Sequence, residues 1–403
     1  MRHLVLIVFF LAPWPVGTTA RGAPATPAKG FAPLETQTFR DLRAKGYDAL
    51  YNMDYAEARA AFEGMAREAP EHPAGYLYQA TTLWLETLNR QRRLRSNLYS
   101  NESFFAKTED KPDPKTDARL RALAQAAIHR AEAALKRQPR DVDAIYLKGL
   151  AHGLVGSWEA TVNRSFFSAL RNGLKSYEAH REVLELDPDY TDAHLTTGTY
   201  NYIVGSLPFF VKILAAIGGY RGSREAGLAE LNLVASKGQL ARDDARVALL
   251  AFYPREKKYQ EMLRILEYFA ERYPRNYVFR LERAGVLITL NRPAESRRLF
   301  EAMAGDPALA RVSDLVQYQY AEALVQMKAY AEALDRFRQV TRQPGAAAEL
   351  VTQAHLGAGR MLDLLRRREE AKAEYRIVLG RGNVFDSHEL AKDHLDEPYR
   401  MDR

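Results

Sequence analysis

From Glu35 onward, apolar residues recur at three- and four-residue spacing and almost nowhere alternate with polar ones. That periodicity predicts amphipathic helices rather than strands. In the C-terminal half one short pattern repeats: a small residue, a bulky apolar residue four positions on, then Pro or Gly seven or eight further. The instances are Met262/Leu266/Pro274, Ser296/Phe300/Pro307, Ala333/Phe337/Pro344 and Ala371/Tyr375/Gly382. Their bulky members stand 34, 37 and 38 residues apart, a period that marks stacked helical hairpins. Small residues let two helices approach, the bulky one fills the wedge between hairpins, and Pro stops the second helix. The expected fold class is all-α, an α-solenoid of about eight hairpins.

Upstream, Gly46, Tyr55, Ala58, Phe62 and Pro70 mark a first hairpin, and later second-helix ends fall at Pro139, Pro188 and Gly238. These intervals of 69, 49 and 50 residues exceed one repeat. The excess predicts insertions at 89–116, 157–172 and 206–222, each between the two helices of a hairpin. Insertions at one hairpin position collect along one edge of an array, often its binding face. In the second insertion Trp158, Val162, Phe166, Leu170, Leu174 and Tyr177 keep helical spacing and predict one extended helix with an apolar stripe. The third predicts a short helix, opened by Pro208 and stopped by Gly218 and Gly219, carrying Phe209, Phe210, Ile213 and Ile217 with Lys212 as its one charge. It reads as a plug over the groove or as a membrane-interface helix. Ser223 is the expected N-cap of the helix that follows, and the glycines before it read as a turn.

A Gly in the first helix, Ala and an aromatic in the second, and Pro after it resemble the tetratricopeptide repeat. Gly218-Gly-Tyr-Arg-Gly-Ser-Arg-Glu-Ala-Gly-Leu continues through Leu231, Gly238, Arg242, Leu249, Tyr253, Arg272-Tyr-Pro274, Phe279, Gly285, Ala294 and Phe300. Over residues 213–303 this resembles the eukaryotic inclusion-body-clearance family, tetratricopeptide repeat protein thirty-nine and its yeast relatives. The resemblance implies an α-solenoid adaptor with links to lipid handling and no catalysis. In such arrays the first helix of each hairpin lines the concave groove. Carried over, the groove-facing candidates are Tyr78, Thr81, Tyr146, Thr199, Tyr202, Glu282, Tyr318, Gln319, Glu322 and Arg360.

Those relatives are intracellular, whereas this chain begins with Arg2 and His3, an apolar run at 4–11 and a small-residue site at Thr18-Thr19-Ala20. That is the pattern of a secretory signal, too short to span a bilayer. The expected organisation is signal 1–20, flexible linker 21–34, irregular repeats 35–238, regular repeats 239–384, and a cap or tail 385–403. There is no cysteine, and an exported chain without disulfides points to a bacterial periplasm. With 58 basic and 51 acidic residues the formal charge is +7. Clusters such as Arg90, Arg92, Arg93 and Arg95, or Arg366, Arg367 and Arg368, read as solvated helix ends, so no nucleic-acid partner is expected.

The nine histidines show no metal-ligand spacing. His388 and His394 read as part of a polar cap, and His152 and His180 as packing residues. No nucleophile elbow occurs. No catalytic residue, metal or cofactor is therefore expected. The leading expectation is an exported scaffold that binds a protein or peptide partner in the cell envelope, through its groove and an inserted edge with Trp158 and Phe166. A carrier or sensor of a lipid or small apolar ligand under the inserted helices is the alternative. An envelope hydrolase with a site hidden from sequence is the third.

Overall fold

The computed structural model describes residues 30–94, 112–207, 212 and 221–401. Among these are seventeen α-helices and no β-strand, as the helical periodicity requires. The first nine are α1 (Gln37–Tyr51), α2 (Tyr55–Glu68), α3 (Ala74–Arg90), α4 (Pro114–Arg137), α5 (Val142–Trp158), α6 (Phe166–Leu186), α7 (His194–Gly205), α8 (Arg224–Lys237) and α9 (Arg242–Phe252). Then come α10 (Tyr259–Arg272), α11 (Tyr277–Thr289), α12 (Pro293–Ala304), α13 (Ser313–Gln326), α14 (Tyr330–Arg342), α15 (Ala348–Leu364), α16 (Arg368–Leu379) and α17 (Ser387–Asp396). In chain order they make eight first-helix, second-helix pairs and one terminal helix. The fold is an all-α repeat scaffold.

Two compact units divide the chain: Met1–Trp84 with Pro112–Phe252, and Leu85–Lys111 with Tyr253–Arg403. In both, the wedge aromatics of the sequence pattern are buried: Phe62 and Tyr375 at 0% exposure, Phe300 at 1% and Phe337 at 3%. Phe62 and Tyr375 face a glycine on the preceding helix, Phe337 faces Gly357 on the following one, and Phe300 stacks on Tyr320. A Cβ added to Gly46 would stand 2.3 Å from the Phe62 ring, one on Gly359 2.4 Å from that of Tyr375. Glycine there is a packing requirement: each ring needs the volume a side chain would occupy.

The hairpin turns follow a rule invisible in composition. Met53, Arg92, Asn291, Lys328 and Arg366 all adopt left-handed backbone, with φ of 65°, 57°, 58°, 61° and 60°. In each case the next amide reaches back five residues, to Ala49, Leu88, Leu287, Leu324 and Leu362 respectively, at 2.8–2.9 Å. This is the Schellman closure, here made without glycine. Its presence at Arg92 shows that α3 ends as the regular first helices do, before the insertion begins.

Two expectations change. Of the expected linker 21–34, residues 21–29 lie outside the described residues; at its end Ala32–Leu34 is a 3-10 turn and Phe31, 3% exposed, lies 4.7 Å from the His72 ring. An aromatic beside a preformed apolar pocket is cheaper buried than tethered in water. The single helix expected through Trp158 and Tyr177 is two. After α5 a π-turn (Glu159–Asn163) leads to left-handed Arg164, and the chain reverses into α6. Residues 157–172 thus lengthen both arms of one hairpin. The reversal is latched by Asp117 at the start of α4, which accepts from Trp158 Nε1 at 2.7 Å and Asn163 Nδ2 at 3.1 Å, while Arg121 pairs with both Asp117 and Glu159. Of the two readings of 385–403, cap or tail, the helix α17 packed on α16 with Ala391 fully buried fits the cap.

Ser223 does cap α8, accepting from the Ala226 amide at 3.2 Å. The glycines nearby also serve contact: a Cβ on Gly227 would sit 2.5 Å from the Tyr202 amide nitrogen, so α7 and α8 touch backbone to backbone. Among the described residues no helix is long and apolar enough to cross a membrane.

Candidate partner-binding surface

The sequence-predicted groove tyrosines turn inward. Tyr78, Tyr146, Tyr202 and Tyr318 are between 1% and 7% exposed. Tyr78 packs on Tyr47 and Phe62 at 4.9 and 5.3 Å, and Tyr146 on His180 and Tyr190, both at 4.9 Å. Tyr202 stacks on Phe252 at 4.1 Å, and Tyr318 meets Phe337 edge-on at 5.6 Å. A phenol ring carries enough apolar area to be drawn into the wedge between hairpins, and its hydroxyl then finds a partner there. Thr81, Thr199, Glu282, Gln319, Glu322 and Arg360 remain half-buried. Thr81 returns its hydroxyl to the Leu77 carbonyl, and Arg360 donates to His394 at 3.1 Å while lying over Tyr399, so it anchors the terminal helix. On the inserted edge Trp158 is fully buried and Phe166 half-buried, whereas Phe209, Phe210, Ile213 and Ile217 lie outside the described residues.

A pattern the sequence reading missed lies at the start of the first helices. Asp143 of α5, Asp244 of α9, Asp314 of α13 and Glu349 of α15 each sit second or third in their helix. They are 101, 70 and 35 residues apart: two enlarged hairpins, two regular ones and one regular one. Carboxylates there are favoured by the helix dipole, yet each also takes a donor from far along the chain.

In the first unit the donors are phenols. Tyr190 OH donates to Asp143 at 3.2 Å, and Tyr51 OH to Asp244. Asp244 is half-buried. That burial pushes its carboxyl up to about 6, against the Tyr51 hydrogen bond, with Asp243 and Asp192 adding to the rise. Burial likewise raises the Tyr47, Tyr146 and Tyr190 phenols, which stay neutral donors.

In the second unit the donors are guanidinium groups from the end of α3 and the turn after it. Arg92 Nε lies 3.1 and 3.2 Å from the two Asp314 oxygens, and its Nη2 donates to the Arg311 carbonyl at 2.7 Å. Asp314, 1% exposed, also accepts the Ala347 amide at 3.0 Å. Arg93, equally buried, pairs with Glu349. Asn89 accepts from Tyr277 OH, at the head of α11. Five residues of chain thus touch the first helices of three successive repeats. Of the basic cluster read as a solvated helix end, Arg90 is exposed and Arg95 lies outside the described residues, but Arg92 and Arg93 form a strap across the repeat heads, where they meet the acids.

The histidines pack. His180, fully buried, must donate Nε2–H to the Tyr146 carbonyl at 3.0 Å, and burial pushes its pKa down to about 4. His152 is half-buried near Lys175, and burial lowers it too. His388 bonds the Arg381 carbonyl at 2.8 Å, and burial then Arg360 take His394 down to about 4. Among the described residues no group of three or more acidic or His side chains could hold a metal. Two shallow surface depressions, of about 310 and 320 Å³, lie at hairpin turns 328–332 and 303–313, away from every residue named above as a groove or edge candidate.

Paired helices at a 34–38-residue period, with small residues set against buried aromatics, define a tetratricopeptide-repeat protein. Residues 191–344, from the head of α7 to beyond α14, match the family Iml2/Tetratricopeptide repeat protein 39. No curated protein is detectably similar to the chain. Similar solved structures include a tetratricopeptide repeat protein from Parabacteroides merdae ATCC 43184, 13% identical over 79% of this chain and 99% of that one, TM-score 0.31. Yeast Tom70 is 12% identical over 90% and 89%, TM-score 0.39. A monomeric mutant of IFIT1 with Gppp-AAAA is 11% identical over 92% and 89%, TM-score 0.44.

Proposed function

We propose that this protein is a non-catalytic scaffold of the bacterial cell envelope that holds a partner protein by an arginine-bearing segment, at the acids heading its first helices. The observation that carries this reading is the strap itself. Arg92 on Asp314 and Arg93 on Glu349 set two adjacent arginines on two successive repeats, 35 residues apart in sequence. Planar guanidinium groups match carboxylates bidentately, so a partner carrying paired arginines would compete for the same acids.

The test uses a fluorescent synthetic peptide of residues 88–94 and the full chain carrying R92A/R93A. The peptide should bind the variant, bind wild type at least about tenfold more weakly, and lose binding when both its arginines are alanine. Equal binding of the two peptides to the variant removes the reading. The envelope location is supported by the signal-like start and the absence of cysteine. Mass spectrometry of the native protein should find a mature N-terminus near Arg21 in the envelope fraction; an intact Met1 in cytosol counts against it.

A further inference from the structure

Phe167 is 73% exposed, whereas the other exposed large apolar side chains among the described residues lie between 37% and 47%. It stands in the first turn of α6, at the tip of the lengthened hairpin, just after the reversal at Arg164. The Asp117 latch on Trp158 and Asn163 fixes that tip, so the ring is held out in water by a folded support. One and two helical turns further along the same face come Arg171 and Lys175, both exposed, with Leu170 and Leu174 half-buried beside them. On α7, packed against α6 through the stacked rings of Tyr177 and Tyr200 at 3.7 Å, Ile203 is 47% exposed.

Charge is segregated here as well. Stretches 160–177 and 195–207 contain Arg164, Arg171 and Lys175 and no Asp or Glu, in a chain whose totals are 58 and 51. We propose that the tip of the α5–α6 hairpin docks on an anionic lipid bilayer, with Phe167 entering the headgroup boundary and Arg171 and Lys175 meeting lipid phosphates. A protruding ring flanked by cations on one helical face suits a bilayer, which accepts an apolar point at any position and carries negative charge throughout. It suits a protein partner less, because interface cores exclude lysine and need a pocket for each projecting ring. This inference does not rest on the arginine-binding reading.

The experiment is co-sedimentation of the full chain with phosphatidylcholine vesicles, with and without phosphatidylglycerol, at low and high salt. Wild type should pellet with the anionic vesicles, and salt should release it. F167S should weaken binding about tenfold, the effect of keeping one Phe ring in water. R171E/K175E should abolish the preference for anionic lipid. Because these side chains are exposed, melting curves of both variants should match wild type, which separates lost docking from lost fold. Equal binding to both vesicle types, no vesicle binding, or an F167S variant that binds as well as wild type overturns the proposal. Retention on heparin that survives F167S, without vesicle binding, identifies a polyanion surface instead.

Discussion

The two units solve one electrostatic problem differently. Both head their first helices with acids at repeat spacing, and both bring those acids a donor from a distant part of the chain. In the first unit the donors are neutral phenols, Tyr51 and Tyr190, and a carboxyl such as Asp244 is left near neutrality by its surroundings. In the second they are cations, Arg92 and Arg93, supplied by the turn after α3. A phenol–carboxylate bond asks little of either group's charge, whereas a guanidinium–carboxylate pair out of water holds only while both partners remain. The acids of the first unit should therefore tolerate single changes and respond to pH; those of the second should be sensitive to losing either arginine.

The largest effect tests the irregular hairpin that only the first unit has. W158A removes a fully buried indole and its hydrogen bond to Asp117, and should cost about 3–5 kcal/mol in urea unfolding. A cost under ~1 kcal/mol would show that the lengthened hairpin is not held by this latch. Next, R93A strands Glu349 and should cost roughly 1.5–3 kcal/mol. Hydrogen exchange should place the loss in α13 and α15, with α5 and α6 unchanged; a uniform loss would contradict the strap's confinement to the second unit. The strap's opposite number, Y190F, deletes one 3.2 Å hydrogen bond and should cost only about 1 kcal/mol.

The pH response separates the units further. Asp244 titrates near 6 in the fold against an ordinary 3.8, so the fold favours its protonated form. Its contribution is complete below the ordinary value and is lost as pH rises through about 6. His180 runs the other way: its ordinary value is 6.5 and its folded one about 4, so its contribution holds above 6.5 and is lost as pH falls through 4. Urea midpoints measured from pH 4 to 8 should show D244N lacking the first slope. An identical profile for wild type and D244N would mean that Asp244 ionises normally. The smallest effect concerns the shared turns. K328G relieves a left-handed lysine at φ 61° but loosens the unfolded chain, and should stabilise by under ~1 kcal/mol.

Much of the scaffold could be read before any fold was known. The small–bulky–Pro pattern is local physics: four residues set one helical turn, and a buried ring opposite glycine is needed wherever two helices close to contact. Phe300, Phe337 and Tyr375 are therefore where the pattern put them. The candidate site was far less legible. Tyr78, Tyr146, Tyr202 and Tyr318 lie on first helices alongside half-buried positions, and a period alone cannot say which side of a ring meets solvent. The reversal at Arg164 escaped because Trp158 through Tyr177 keeps helical spacing straight through it, and no Gly or Pro marks the turn. The acids were visible as residues, with a spacing that could have been found; their donors were not.

The chain's local order determined its helices, the small-and-aromatic contacts that stack them, the cap at Ser223 and the repeat period of its acids. Tertiary structure alone decided what satisfies those acids. Tyr51 meets Asp244 across 193 residues, Arg92 meets Asp314 across 222, and Arg93 meets Glu349 across 256. Periodicity arises from neighbours a turn apart, so sequence records it directly. Which donor reaches a given carboxylate depends on where the accumulated stacking of whole repeats carries the chain, and no local pattern encodes that.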